Sequence, residues 1–348
     1  MPGERLEHTR PSYLLAIEQG CDYIEPDVVA TRDGVLVVRH ENEISGTTDV
    51  AEHPEFSDRK VSKFIDGVPY TGWFTEDFTL EEIKTLRVRE RLPQLRPQNI
   101  PLARREQILT FDEVLTIAQD ASVGRDEPIG VYVETKHPTY FTTIGLDLND
   151  LLIADLERRG VNHDGTKIVI QSMETANLKA LRDRTPLVLI QLMDRQGAPY
   201  DLVAARDPRT YWSMRKPVEL QKIAAYADGI GPNKSQVVKR DVLYRLAKTT
   251  KLVRRAHDLG LVVHIWTMRN ENNFLPTNLR LGRDKAAHGD ALGEYLAFFD
   301  AGVDGVFSDF TATAVQAREA WLTGQRPEPT PSRARHASAS GSTPRHSR

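Results

Sequence analysis

The sequence predicts an α/β barrel of parallel strands with flanking helices, its first strand missing from the chain. Three observations point there. Short apolar runs alternate with stretches of helical periodicity, the pattern of parallel β/α units. The run of strands is too long for a short open sheet. At 348 residues the chain is long enough to enclose one large core without disulfides or a structural metal.

The elements follow in order. Residues 10–19 carry helical periodicity, and residues 23–29 read as the first strand. The turn Thr31-Arg32-Asp33-Gly34 reverses the chain, so residues 36–40 form the return arm of a hairpin rather than a barrel strand. Residues 43–110 form a long polar insertion with scattered aromatics (Phe56, Phe64, Tyr70, Trp73, Phe74, Phe78). A loop of that length is functional or folds as a small subdomain. Helical patterns at 111–119, 144–159, 175–183 and 240–259 separate apolar strands at 129–134, 167–171, 187–192, 229–231, 261–267 and 303–308. The parallel strands therefore number seven, whereas closure needs eight. The missing strand would precede residue 1. Its vacancy would lie between the strands at 23 and 303 and leave unpaired edges there. Residues 1–325 thus read as one barrel containing the insertion. Residues 326–348, rich in Pro, Ser, Arg and Ala, read as a disordered tail.

Composition excludes several function classes. Net charge is −3, so no global field calls for nucleic acid or an anionic membrane, and no nucleic-acid-binding motif is present. No apolar run is long enough for a transmembrane helix. The start lacks the apolar region of a signal peptide. The single cysteine, Cys21, reads as a small buried filler, since nothing nearby supplies a base.

The chemistry concentrates at strand ends. Glu25 and Asp27 lie two apart, so in a strand they share a face. Paired carboxylates stay ionised only when a cation or hydrogen bonds compensate, and a hard divalent ion such as Mg²⁺ or Ca²⁺ does so. An acidic pair facing solvent fits the spacing equally well. The hairpin sets His40 opposite Glu25 or Asp27, depending on one residue of register, which suits general acid/base work. Glu134 and Lys136 share a face at the C-terminal end of the next strand, where barrel active sites lie. Glu134 would complete a metal site and Lys136 would meet a phosphate oxygen. A local ion pair between the two is the plainer alternative.

These pieces resemble the glycerophosphodiester phosphodiesterase family. The matching segments are Glu7-His8-Thr9, Glu25-Pro26-Asp27, Thr31-Arg32-Asp33-Gly34 with Val37-Val38-Arg39-His40, Glu134-Thr135-Lys136, Gln171-Ser172, Val263-His264-Ile265-Trp266-Thr267 and Asp304-Gly305-Val306-Phe307-Ser308-Asp309. The resemblance implies a (β/α)8 barrel of the phospholipase-C-like type that hydrolyses glycerophosphodiesters to sn-glycerol 3-phosphate and an alcohol. It implies one divalent cation, Ca²⁺ or Mg²⁺, held by Glu25, Asp27 and Glu134. His40 matches the second catalytic histidine, Lys136 a phosphate contact, and Trp266 an aromatic that packs on the glycerol. The family's opening His-Arg-Gly motif is absent, and His8, from a later stretch, does not replace it. That absence coincides with the missing strand, so an upstream start is expected. A genuine start implies instead a non-catalytic phosphodiester-binding barrel, and a phospholipase-like chemistry is a third reading. The long insertion resembles the larger bacterial, extracytoplasmic branch, whereas a genuine start implies the cytoplasm.

Overall fold

The structure, a computed structural model, describes residues 2–325. The expected tail at 326–348 lies outside the described residues. The strands are β1 (Tyr23–Ile24), β2 (Asp27–Ala30), β3 (Leu36–Val38), β4 (Val61–Ile65), β5 (Val68–Gly72), β6 (Gly130–Thr135), β7 (Ile168–Ser172), β8 (Val188–Met193), β9 (Gly229–Pro232), β10 (Val238–Arg240), β11 (Leu246–Thr249), β12 (Val262–Met268) and β13 (Gly305–Ser308). The main sheet runs β13-β12-β9-β8-β7-β6-β2-β3, with β1 also on β6. All its pairings are parallel except β2 with β3. Among the described residues β13 pairs only with β12 and β1 only with β6, so the curled wall stays open where the sequence placed a vacancy.

The first expected strand is interrupted. Glu25 and Pro26 separate β1 from β2, because proline has no N–H for the ladder. The hairpin arm pairs Val28 with Val38 and Ala30 with Leu36. Its register sets Arg39 across from Asp27, whose carbonyl accepts the Arg39 N–H at 3.0 Å. His40 therefore arrives one position away from direct opposition to Asp27. On the other side of β2, Asp27 is in register with Glu134 of β6, and Glu134 with Gln171 of β7. Parallel register thus lines up the carboxylates that the sequence could only place strand by strand.

Helices cover the outer face. Residues Phe111–Ser122 begin with a capping box in which Thr110 and Glu113 satisfy each other's backbone N–H groups. The helix expected at 144–159 begins only at Leu148, behind the Asp147 cap, because Gly145 turns the chain at φ +80°. The stretch at 240–259 is helical only over Leu252–His257. Its first half is the β10–β11 hairpin. There Asp241 accepts backbone hydrogen bonds from Leu243 and Arg245 at 2.9 Å each, a local turn that competes with helix.

The insertion carries the β4–β5 hairpin and short helical turns, but it does not stand apart. Phe56, Trp73, Phe78, Ile83, Leu86 and Val88 are buried in the same apolar core as Val28, Val37 and Val133 of the barrel wall. Arg96 reaches from it to Glu271 at 2.8 Å and Asp309 at 2.5 Å, all three buried, and so clamps the insertion to the loops after β12 and β13.

Inside the wall, Tyr132, Val169 and Ile190 pack with Val262 and Phe307. Gly229 makes room for them: a Cβ there would lie 2.5 Å from Val262 Cγ2, 2.6 Å from Ile190 Cδ1 and 2.7 Å from the Val262 carbonyl oxygen. Backbone cannot step aside as a side chain can, so Gly229→Ala is expected to lose about 1–3 kcal/mol of stability. Urea unfolding checks this; an unchanged midpoint would mean the β9–β12 contact is looser than described.

Candidate active site

Glu25, Asp27, Glu134 and Lys136 meet at the C-terminal mouth of the barrel, and every one of them is well packed. The Lys136 ammonium lies 2.7 Å from Glu134 Oε1 and 3.1 Å from Asp27 Oδ1. Gln171 Nε2 donates to Glu25 Oε1 at 3.0 Å. Glu25 and Asp27 offer oxygens within 4.8 Å of one another and of a His8 ring nitrogen. Glu134 is not in that tight group and is joined to Asp27 through the Lys136 ammonium. The ion pair that the sequence left as an alternative for Glu134 and Lys136 therefore forms, and it forms within the carboxylate cluster.

The charges are strongly unequal. Burial, with the Asp27 and Glu134 charges, pushes the Glu25 carboxyl well above the usual carboxylate range. Burial also lifts Glu134 to about 7, against the pull of Lys136. Burial acts on Asp27 too, but Lys136, His40 and His8 outweigh it and hold Asp27 well below the usual range. Burial opposes the Lys136 charge, yet Asp27 and Glu134 raise its pKa. Glu25 and Glu134 thus lack enough positive charge around them. Asp27 Oδ1 and Glu134 Oε1 are also buried without a hydrogen bond of good geometry, despite the approach of Lys136. Crowded carboxylates with unmet oxygens fit a hard divalent cation.

His8 is the residue that sequence reasoning set aside. It is 8% exposed, with Nε2 2.8 Å from Asp27 Oδ2 and Nδ1 2.9 Å from the Tyr13 hydroxyl. The Tyr13 hydroxyl lies 3.3 Å from the Glu25 carbonyl. Both ring nitrogens are engaged, Nε2 with Asp27 and Nδ1 with Tyr13, so His8 is part of the same cluster as the carboxylates. The signal lay in a His five residues before a Tyr at the start of an amphipathic helix, a spacing that says nothing until the helix docks.

His40 differs. Half its side chain is exposed at the mouth, and Nδ1 lies 2.6 Å from Glu41 Oε1. Desolvation and Lys136 oppose its charge, but Asp27 and Glu41 outweigh them and raise its pKa. Trp266 sits half-buried on β12, its indole N–H donating to the Gly231 carbonyl at 2.7 Å. Cys21 is half-buried against the core rather than fully buried, and burial pushes its thiol up to about 11.

Comparison with known proteins decides the family. Residues 1–313 match the sequence profile of the glycerophosphoryl diester phosphodiesterase family. The chain belongs to this family. A glycerophosphodiester phosphodiesterase of Arabidopsis thaliana is 36% identical over 323 residues, covering 89% of this chain and 82% of that protein. One from Haemophilus influenzae is 27% identical over 345 residues, covering 89% and 85%. The fold is shared with an Oleispira antarctica phosphodiesterase solved with the product sn-glycerol-3-phosphate, at TM-score 0.57 and 18% identity, over 91% of this chain and 93% of that one. The family's barrel is the architecture expected from sequence. Among the described residues no helix is long and apolar enough to cross a membrane.

Proposed function

We propose that this phosphodiesterase-family chain hydrolyses glycerophosphodiesters to sn-glycerol 3-phosphate and an alcohol. The reading rests on one observation above all: three carboxylates and a lysine packed at a barrel mouth, with a half-exposed histidine beside them. Glu25, Asp27 and Glu134 would hold one divalent cation, Ca²⁺ or Mg²⁺. When bound, that ion neutralises phosphate oxygens and polarises the phosphorus towards attack. Lys136 meets a second phosphate oxygen as a compact positive charge, and Trp266 packs against the glycerol.

The protein's own groups move the protons. Water attacks phosphorus and gives up a proton to a base as the bond to the departing alcohol breaks, and that alkoxide takes up a proton as it leaves, so one proton is accepted and one returned. With Nδ1 directed at Glu41, His40 presents Nε2 to the mouth for proton transfer. His8 keeps Asp27 aligned. The substrate is a small polar diester.

Phosphorus NMR of glycerophosphocholine incubated with the protein and Ca²⁺ or Mg²⁺ tests the reading. The expected product is sn-glycerol 3-phosphate with free choline. Phosphocholine with free glycerol would mean that the opposite ester bond is cut, and an unchanged diester would leave the family fold without this activity.

A further inference from the structure

We infer that the insertion supplies a positioning residue to the active site: Arg91 fixes Glu41, and through Glu41 the orientation and tautomer of His40. The inference rests on the proposed role of His40 in proton transfer and assigns work to a segment that otherwise reads as a structural elaboration.

Arg91 uses both edges of its guanidinium. Nε donates to Glu7 Oε2 at 2.8 Å and Nη2 to Glu7 Oε1 at 2.5 Å. Towards the mouth, Nη1 donates to Glu41 Oε1 at 2.9 Å, while Nη2 lies 2.7 Å from Glu41 Oε2. Glu41 Oε1 is the oxygen that meets His40 Nδ1. One planar cation therefore ties the N-terminal segment to the carboxylate that orients the histidine.

The need for such a tie follows from Glu41 itself. It follows His40 directly in the chain and its side chain is one-third exposed. A glutamate in that setting has rotamer freedom to lose before it can hold an imidazole in one orientation. Two-point binding to arginine removes that freedom, whereas a lysine, a single point charge, cannot engage both carboxylates in the same geometry. With Glu41 held, the Nδ1 proton stays on its side of the ring and Nε2 keeps the lone pair that faces substrate. A carboxylate behind a histidine sets the tautomer in this way wherever the ring must act through its other nitrogen.

Arg91 is itself well anchored. It ends a stretch in which Leu86 and Val88 are fully buried. The Val88 N–H donates to Glu106, the Arg89 N–H to Thr47 and the Arg104 N–H to Val88. Asp49 accepts the Arg87 N–H at 2.7 Å. Glu7 is gripped in turn: burial would raise its pKa, but Arg91 and Arg39 hold it down at about 2. The tie therefore carries rigidity from the insertion's core to the mouth.

A purely structural clamp would predict something different. Losing it would weaken the fold and depress activity by the same factor whether or not His40 is present. The test uses the full chain with Ca²⁺ or Mg²⁺ and compares Arg91→Met, Arg91→Lys and Glu41→Gln, each alone and combined with His40→Ala. Alone, Arg91→Met and Glu41→Gln should lower kcat by about 10–100-fold, the usual cost of losing an outer partner of a functional histidine, with KM little changed. Arg91→Lys should recover part of that loss. Combined with His40→Ala, none should lower kcat further, because residues acting as one unit are non-additive. Equal losses in both backgrounds would overturn the inference. Nitrogen-15 NMR of the His40 ring reads the same point without turnover. The Nδ1–H tautomer should dominate in the unmodified protein and mix with its partner in Arg91→Met, and an unchanged spectrum would also overturn the inference. If the unmodified protein releases no glycerol 3-phosphate, the proposed function fails, and the NMR comparison still decides the role of Arg91.

Discussion

Replacing His40 with alanine is expected to lower turnover of glycerophosphocholine by roughly 10²–10⁴-fold, the range for a lost general acid or base. The loss should fall on kcat rather than KM, because proton transfer matters in the transition state and not in binding. Stability should change little, since half the side chain is exposed and its side-chain hydrogen bond is with the neighbouring Glu41. His8→Ala should behave otherwise. That ring is buried between Asp27 and Tyr13, so its removal should cost stability as well as activity. Thermal melts and steady-state rates on the two variants separate the roles. Near-normal turnover in His40→Ala would move the proton transfer elsewhere.

The second large effect concerns Asp27. Asp27→Asn keeps the shape of the side chain and removes one of three crowded charges. Turnover should fall by about 10²–10³-fold, as it does when a preorganised electrostatic contact is lost. The metal-free fold should lose some stability, because Lys136 and His8 lose a charged partner, and the repulsion relieved on Glu25 and Glu134 offsets only part of that loss. What should vanish is the stabilisation by Ca²⁺ or Mg²⁺, about 2.7 kcal/mol for a site at a ligand concentration of 100 times Kd. Thermal melts with and without each ion measure it directly. An ion-induced shift that persists in Asp27→Asn would remove Asp27 from the metal site.

Much of this arrangement was legible in the sequence, for physical reasons that can be named. Period-two alternation puts Glu134 with Lys136 at a strand end, whereas Glu25 lies in the break between β1 and β2, and Asp27 opens β2. Parallel pairing then does the rest, setting Asp27 beside Glu134. The open seam between β1 and β13 follows from counting strands. The parts that escaped are contacts between distant segments. His8 meets Asp27 across 19 residues, and Arg91 meets Glu41 across 50, from a stretch with no periodicity to read. Neither pairing has a local signature, because each depends on how a helix or an insertion docks. The overlong helix at 240–259 failed for the opposite reason. Its apolar spacing was real, but Asp241 closed a turn that periodicity does not register.

The most direct test of the account is metal-dependent release of sn-glycerol 3-phosphate by the full chain. Activity on glycerophosphocholine is measured before chelation, after removal of divalent ions, and after adding back Ca²⁺ or Mg²⁺. The account predicts release that disappears with the ion and returns with it, in the unmodified protein but not in Asp27→Asn. Release that is indifferent to chelation, or no release with any divalent ion, would contradict it.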